Sequence, residues 1–171
     1  MNYRCSLFFL FGLLVSTAAN AATDLHKSSL EGGCQGELKE GKYLPRDAQV
    51  RSIQVRSSWV VEAIRFNYVL NGRSGSLIWG PDGSNWSRPV LLPVGTKLKA
   101  ISGRYGMYLD AIRFHFTNGH TSAEFGGGGG DIEFKIPIPE KNGKPIGDIV
   151  GFHGRWGAWI DAIGLVIRPA P

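Results

Sequence analysis

Three acids stand at the same point of three similar segments: Glu62, Asp110 and Asp161. The segments run Arg56-Ser57-Ser58-Trp59-Val60-Val61-Glu62-Ala63-Ile64, Arg104-Tyr105-Gly106-Met107-Tyr108-Leu109-Asp110-Ala111-Ile112 and Arg155-Trp156-Gly157-Ala158-Trp159-Ile160-Asp161-Ala162-Ile163. They align without a gap, at offsets of 48 and 51 residues. An ionised carboxylate accepts several hydrogen bonds and donates none, so each acid is suited to taking two neighbouring hydroxyl protons from a ligand. An Asp at the start of a strand also caps a turn through its own backbone. Spacing alone leaves both roles standing.

A second feature is in phase with the first. Glycines cluster at Gly32, Gly33 and Gly36, at Gly80 and Gly83, and at Gly126 to Gly130, including Gly127 and Gly128. Each unit therefore runs glycine loop, strands, acid loop, strand, and three such units fill residues 22–171. The flanking segments alternate and are rich in aromatic and β-branched residues, as in Ala111 to Phe116 and in Phe134 to Ile138, which is a strand pattern. Asn71-Gly72, Pro81-Asp82-Gly83, Asn118-Gly119 and Asn142-Gly143 mark turns. The expectation is an all-β fold of three sheets about a pseudo-three-fold axis, with the β-trefoil as the rival arrangement.

Other chemistries fit poorly. Gly36 to Lys42 has the spacing of a phosphate-binding loop, but Tyr43 stands where a magnesium-binding hydroxyl belongs and Glu37 and Glu40 lie within or beside it. No helix follows the run at Gly126 to Gly130. His26, His115, His120 and His153 show no zinc spacing. There is no Gly-x-Ser-x-Gly elbow, and Asp110 and Asp161 belong to separate loops, not to the two sides of one glycosidic bond. No catalytic constellation can be assigned, so the chain is read as a binding protein without metal or other cofactor.

Composition supports that reading. The formal charge of +5 comes from basic residues scattered along the chain, a poor basis for nucleic-acid binding. At the N-terminus, Arg4, the apolar run Leu7 to Val15 and Ala19-Asn20-Ala21 form the pattern of a cleaved export signal. Residues 1–21 are expected to be removed, leaving 22–171 as one domain, secreted or periplasmic, with no membrane span. Cys34 is then the one mature cysteine, expected as a buried thiol in preference to an intermolecular bridge. Asn85-Trp86-Ser87 is a glycosylation sequon, meaningful only in a eukaryotic secretory pathway. A homo-oligomer is compatible with the sequence.

The closing segment Gly154 to Leu165, the second Gly-x-x-x-Asp-Ala-Ile copy and the three glycine loops together resemble the jacalin-related lectins of the mannose-binding type, over residues 30 to 168. The resemblance implies β-prism I, three four-stranded Greek-key sheets, and metal-independent carbohydrate binding at one end. It also pairs each acid loop with a glycine loop. One implied site joins Gly157, Ala158, Trp159 and Asp161 to Gly32 and Gly33. Another joins Gly106, Met107, Tyr108 and Asp110 to the loop containing Gly127 and Gly128. The third, Ser58 to Glu62 with Gly80 to Gly83, has Ser for Gly and Glu for Asp and is expected to be weak or dead.

In such sites the tight acid loop and the glycine loop offer backbone N–H donors, the missing Cβ admits close approach, and an aromatic ring covers the apolar face of the sugar. Trp159 and Tyr108 remain open to plain packing roles. Trp156 is better read as core or rim packing, and Arg56, Arg104 and Arg155 as ties between loops. Galactose-preferring members expose an N-terminal glycine made by processing. Gly32 lies inside a continuous chain, so the resemblance leans toward mannose- or glucose-type glycans. A protein- or polyanion-binding β-prism with vestigial sugar loops is the alternative.

Overall fold

The computed structural model describes residues 25–170, and the expected export signal lies outside them. In chain order the strands are β1 (His26–Lys27), β2 (Glu31–Gly32), β3 (Glu37–Tyr43), β4 (Gln49–Ser57), β5 (Val61–Leu70), β6 (Arg73–Trp79), β7 (Val90–Leu91), β8 (Leu98–Tyr105), β9 (Leu109–Phe116), β10 (Phe125–Gly126), β11 (Ile132–Pro137), β12 (Glu140–Lys141), β13 (Lys144–Pro145), β14 (Gly147–Trp156) and β15 (Ile160–Pro169). No helix occurs among the described residues.

The strands form three equivalent antiparallel sheets, ordered β6-β5-β4-β7, β10-β9-β8-β11 and β1-β15-β14-β3, with β2 also pairing β15. In the first two, three consecutive strands pair as neighbours and the fourth returns beside the first, which is the Greek key. The last sheet is assembled from both ends of the described chain. Ser28 fastens that closure: its N–H donates to the Leu165 carbonyl, its hydroxyl accepts from the Leu165 N–H, and its carbonyl meets His153 Nε2 at 3.0 Å. This is the expected β-prism, not a trefoil.

The repeat explains the core. Val61, Leu109 and Ile160 occupy one repeated position and are fully buried, as are Ile64, Ile112 and Ile163 one turn of the pleat further on. Ile53, Ile101 and Phe152 on the partner strands, also buried, pair in register with buried Phe66, Phe114 and Leu165. Each unit alone could bury only one face of its sheet; three about an axis bury a common interior. The turns follow their chemistry. Asn71-Gly72 and Asn142-Gly143 both have positive φ at each residue, as a two-residue hairpin with the native twist requires. The second of these closes the hairpin β12–β13, an addition to the three-unit plan that the repeat did not foretell.

All three acid loops are entered through the same irregularity. The strand register shifts between Arg56 and Ser57, between Arg104 and Tyr105, and between Arg155 and Trp156. A bulge re-aims the backbone at the rim of a sheet, and here it turns all three loops toward one end of the prism.

Candidate functional site

Each acid loop is a tight turn closed by its own backbone. The N–H of Ser58 donates to the Val60 carbonyl, that of Gly106 to Tyr108 and that of Gly157 to Trp159, at 3.0–3.1 Å. The glycine at the loop head is therefore spent on the turn. The N–H groups of Met107, Tyr108, Ala158 and Trp159 make no hydrogen bond among the described residues and remain available to a ligand.

Each acid then sets its main-chain carbonyl against a glycine loop, and the two aspartates hold theirs by a hydrogen bond. Gly33 N–H donates to the Asp161 carbonyl at 2.8 Å, and Gly127 N–H to that of Asp110 at 2.9 Å. The preceding glycines, Gly32 and Gly126, have φ of 141° and 115°. A Cβ at either would lie within 2.3 Å of that same carbonyl oxygen. Glycine is required at these two positions by both conformation and space. Gly80 repeats the arrangement against the Glu62 carbonyl. The three pairings implied by the resemblance are thus all formed.

Side chains complete the walls. A Cβ on Gly36 would strike Asp161 Oδ2, and one on Gly129 would strike Asp110 Oδ1, whereas Gly128 faces open space. Arg104 grips its loop with four bonds, to the carbonyls of Gly127, Gly128 and Gly129 and to Glu124. Arg155 makes one, to the Gly36 carbonyl at 3.2 Å. Arg104 and Arg155 tie loops together, as expected, whereas Arg56 pairs with Glu62 of its own loop. Glu124 was missed because it has no counterpart in the other units. Trp156 packs at the rim, edge-on to buried Trp79 and beneath Lys39. Cys34 is exposed, correcting the expected burial; it lies in a glycine loop outside the sheets, where no core reaches it.

The three carboxylates differ sharply in how far the protein itself satisfies them. Glu62 Oε1 accepts from the Ser58 hydroxyl at 2.8 Å, and Oε2 forms an ion pair with Arg56 Nε at 2.9 Å. Asp110 accepts one bond, from Gly106 N–H at 2.8 Å. Asp161 is 3% exposed and accepts none among the described residues. Burial raises the pKa of both aspartates. For Asp110 this is offset in part by the Gly106 N–H and then Arg104; for Asp161 it is offset by Arg155. No oxygen of either aspartate carboxylate is both fully enclosed and unpartnered among the described residues, so the unused lone pairs can be met by a donor from outside the protein.

Three aromatics converge between the loops. The rings of Trp59, Tyr108 and Trp159 meet edge-on in all three pairings, at centroid distances of 5.1–5.7 Å. The site end is thus polar in its loops and aromatic at its axis. No group of three or more His, Cys, Asp or Glu among the described residues is placed to share a metal ion. No helix there is long and apolar enough to cross a membrane.

A prism of three Greek-key sheets with glycine and acid loops at one end defines the jacalin-like lectin class. The jacalin-like lectin domain matches residues 30–166, and the chain belongs to that carbohydrate-binding family. Horcolin from Hordeum vulgare is 31% identical over 133 residues, covering 73% of this chain and 86% of that protein. A mannose/glucose-specific lectin from Parkia pendula is 39% identical over 79 residues, and the match spans 43% of this chain but only 16% of that protein. Among solved structures, a mannose-binding jacalin-related lectin from Ananas comosus superposes with a TM-score of 0.64 at 28% identity, over 85% of this chain and 99% of that one.

Proposed function

We propose that the chain is a metal-independent lectin that binds mannose- or glucose-type glycans at two sites and catalyses no reaction. The first site is Asp161 with Trp159, Ala158, Gly157, Gly32 and Gly33; the second is Asp110 with Tyr108, Met107, Gly106, Gly127 and Gly128. The observation that carries the reading is the pair of buried aspartates with unfilled acceptor capacity, each set against a glycine loop. A sugar's vicinal hydroxyls would supply the missing donors, and the unspent N–H groups of the acid loop would donate to sugar oxygens. The mannose- and mannose/glucose-binding relatives support the choice of sugar. The basic and apolar pattern of residues 1–21 supports export, with 22–171 as one mature domain.

Two sites on one rigid prism give avidity for branched or surface-bound glycans, which compensates weak binding of each single sugar. The test is a glycan array on the mature protein, with and without chelator, beside the Asp110→Ala/Asp161→Ala double variant. Chelator-insensitive binding to mannose- or glucose-bearing glycans, absent in the variant, is the expected result. A folded protein that ignores glycans but binds polyanions in a salt-sensitive way would replace this reading with an electrostatic one.

A further inference from the structure

Trp59 is out of step with the repeat. In the other two loops the aromatic is Tyr108 or Trp159, and the residue before it is Met107 or Ala158. In the first loop Val60 takes the aromatic's place and is fully buried, while Trp59 stands one position earlier and is 55% exposed. The core is thus satisfied without the indole, which projects to the axis and meets Tyr108 and Trp159 edge-on. Trp59 belongs to the loop whose own carboxylate is occupied, yet it borders the Asp110 site. A Cβ on Gly127 would lie 2.3 Å from the Trp59 carbonyl oxygen, so the glycine loop of Asp110 rests on the Trp59 backbone. Next to it Gly128 faces open space.

We propose that Trp59 is the stacking wall of an extended subsite, which receives the second pyranose of an oligosaccharide whose terminal unit is held at Asp110. This rests on the lectin reading above and deepens it. The C–H face of a pyranose is apolar, and a half-exposed indole offers a large rigid surface for it at low entropic cost. The corresponding neighbour of the Asp161 site is Met107, whose backbone lies against Gly33 in the same way. The two sites therefore share an aspartate set against a glycine loop and differ in the wall beyond it.

The test uses calorimetric titration on the Asp161→Ala background, where only the Asp110 site responds, with methyl α-mannoside and an α-linked mannotriose. With Trp59 present, the trisaccharide should bind about fivefold to tenfold more tightly than the monosaccharide. Trp59→Ala should remove most of that advantage and leave the monosaccharide within about twofold; Trp59→Phe should keep part of it. An advantage that survives Trp59→Ala, an equal loss for both sugars, or no advantage in the parent would overturn the subsite. A parent that binds neither sugar would overturn the lectin reading itself.

Discussion

The Glu62 and Asp161 loops have the same backbone and opposite electrostatic economies. Both close with the same turn, both set a glycine loop against the acid's carbonyl, and both are entered through a bulge. In the Glu62 loop one extra methylene and one hydroxyl let the protein satisfy its own carboxylate, through Ser58 and Arg56. In the Asp161 loop the shorter acid is buried with no donor. The scaffold is thus insensitive to what the carboxylate does, and under the proposed function binding capacity lies in what the loop leaves unsatisfied. Asp110 stands between, with one bond made.

The largest expected effect follows directly. Asp161→Ala and Asp110→Ala should each remove one of two monosaccharide sites in a titration, a loss on the order of 100-fold if each aspartate accepts two charge-assisted bonds. Glu62→Ala should leave the stoichiometry unchanged. Its cost should fall on stability, about 1–2 kcal/mol in a urea melt, because the Arg56 guanidinium, whose side chain is 13% exposed, loses its partner. A drop in sugar stoichiometry on Glu62→Ala would break the contrast.

The arginines should separate the two aspartate loops. Arg104 holds three glycine carbonyls and Glu124, whereas Arg155 reaches one carbonyl. Arg104→Ala should weaken the Asp110 site by about tenfold, through loss of the loop's shape, and Arg155→Ala the Asp161 site by about twofold to threefold. Equal effects, measured on single-site backgrounds, would mean that loop clamping does not set affinity.

Much of this was legible in the sequence because it repeats. Arg, Ala, Ile and the acid recur in phase with the glycines, so the three units follow from alignment of the chain with itself; the loop pairings came with the family resemblance, and the departure of the third loop from it shows in Ser58 and Glu62. Features that break the repeat were not legible. The hairpin β12–β13 and Glu124 have no counterparts, and the position of Trp59 at the axis depends on how three loops from distant parts of the chain converge. Cys34 was misread because a small apolar side chain is usually buried, whereas a glycine loop on the rim has no core beneath it.

The burial that raises the aspartate pKa values has two consequences of opposite sign. Protonation turns one acceptor oxygen into a donor and removes the charge that strengthens bonds from sugar hydroxyls, so binding should fade on acidification above the ordinary aspartate pKa, first noticeable as pH drops through the raised values. For folding, a raised carboxyl pKa means stability that is full at low pH and lost as pH rises through the folded-state value. At neutral pH Asp161 is therefore a burden, and Asp161→Asn should raise Tm, by roughly 2–4 °C for each kcal/mol relieved, while abolishing that sugar site. A lowered Tm at neutral pH would show that the carboxylate is satisfied after all.

The smallest expected effect is the most direct test of the comparison. Ser58→Gly/Glu62→Asp gives the first loop the residue types of the other two. It deletes the hydroxyl that donates to Oε1 and draws the acid back by a methylene, away from Arg56 Nε. The glycine loop is already in place, with Gly80 against the Glu62 carbonyl. Two obstacles remain. Val60 is buried where Tyr108 and Trp159 offer ring surface, and a Cβ on Gly83 would meet Arg56 Nη1, so the guanidinium crowds the space a sugar would enter. The double variant should therefore gain a third site, but one about tenfold or more weaker than the Asp161 site, visible as added stoichiometry at high sugar concentration. Adding Arg56→Ala would then distinguish crowding from charge: a stronger third site means the guanidinium blocked the sugar, and a collapsed loop means it holds Gly80 to Gly83 as Arg104 holds its own.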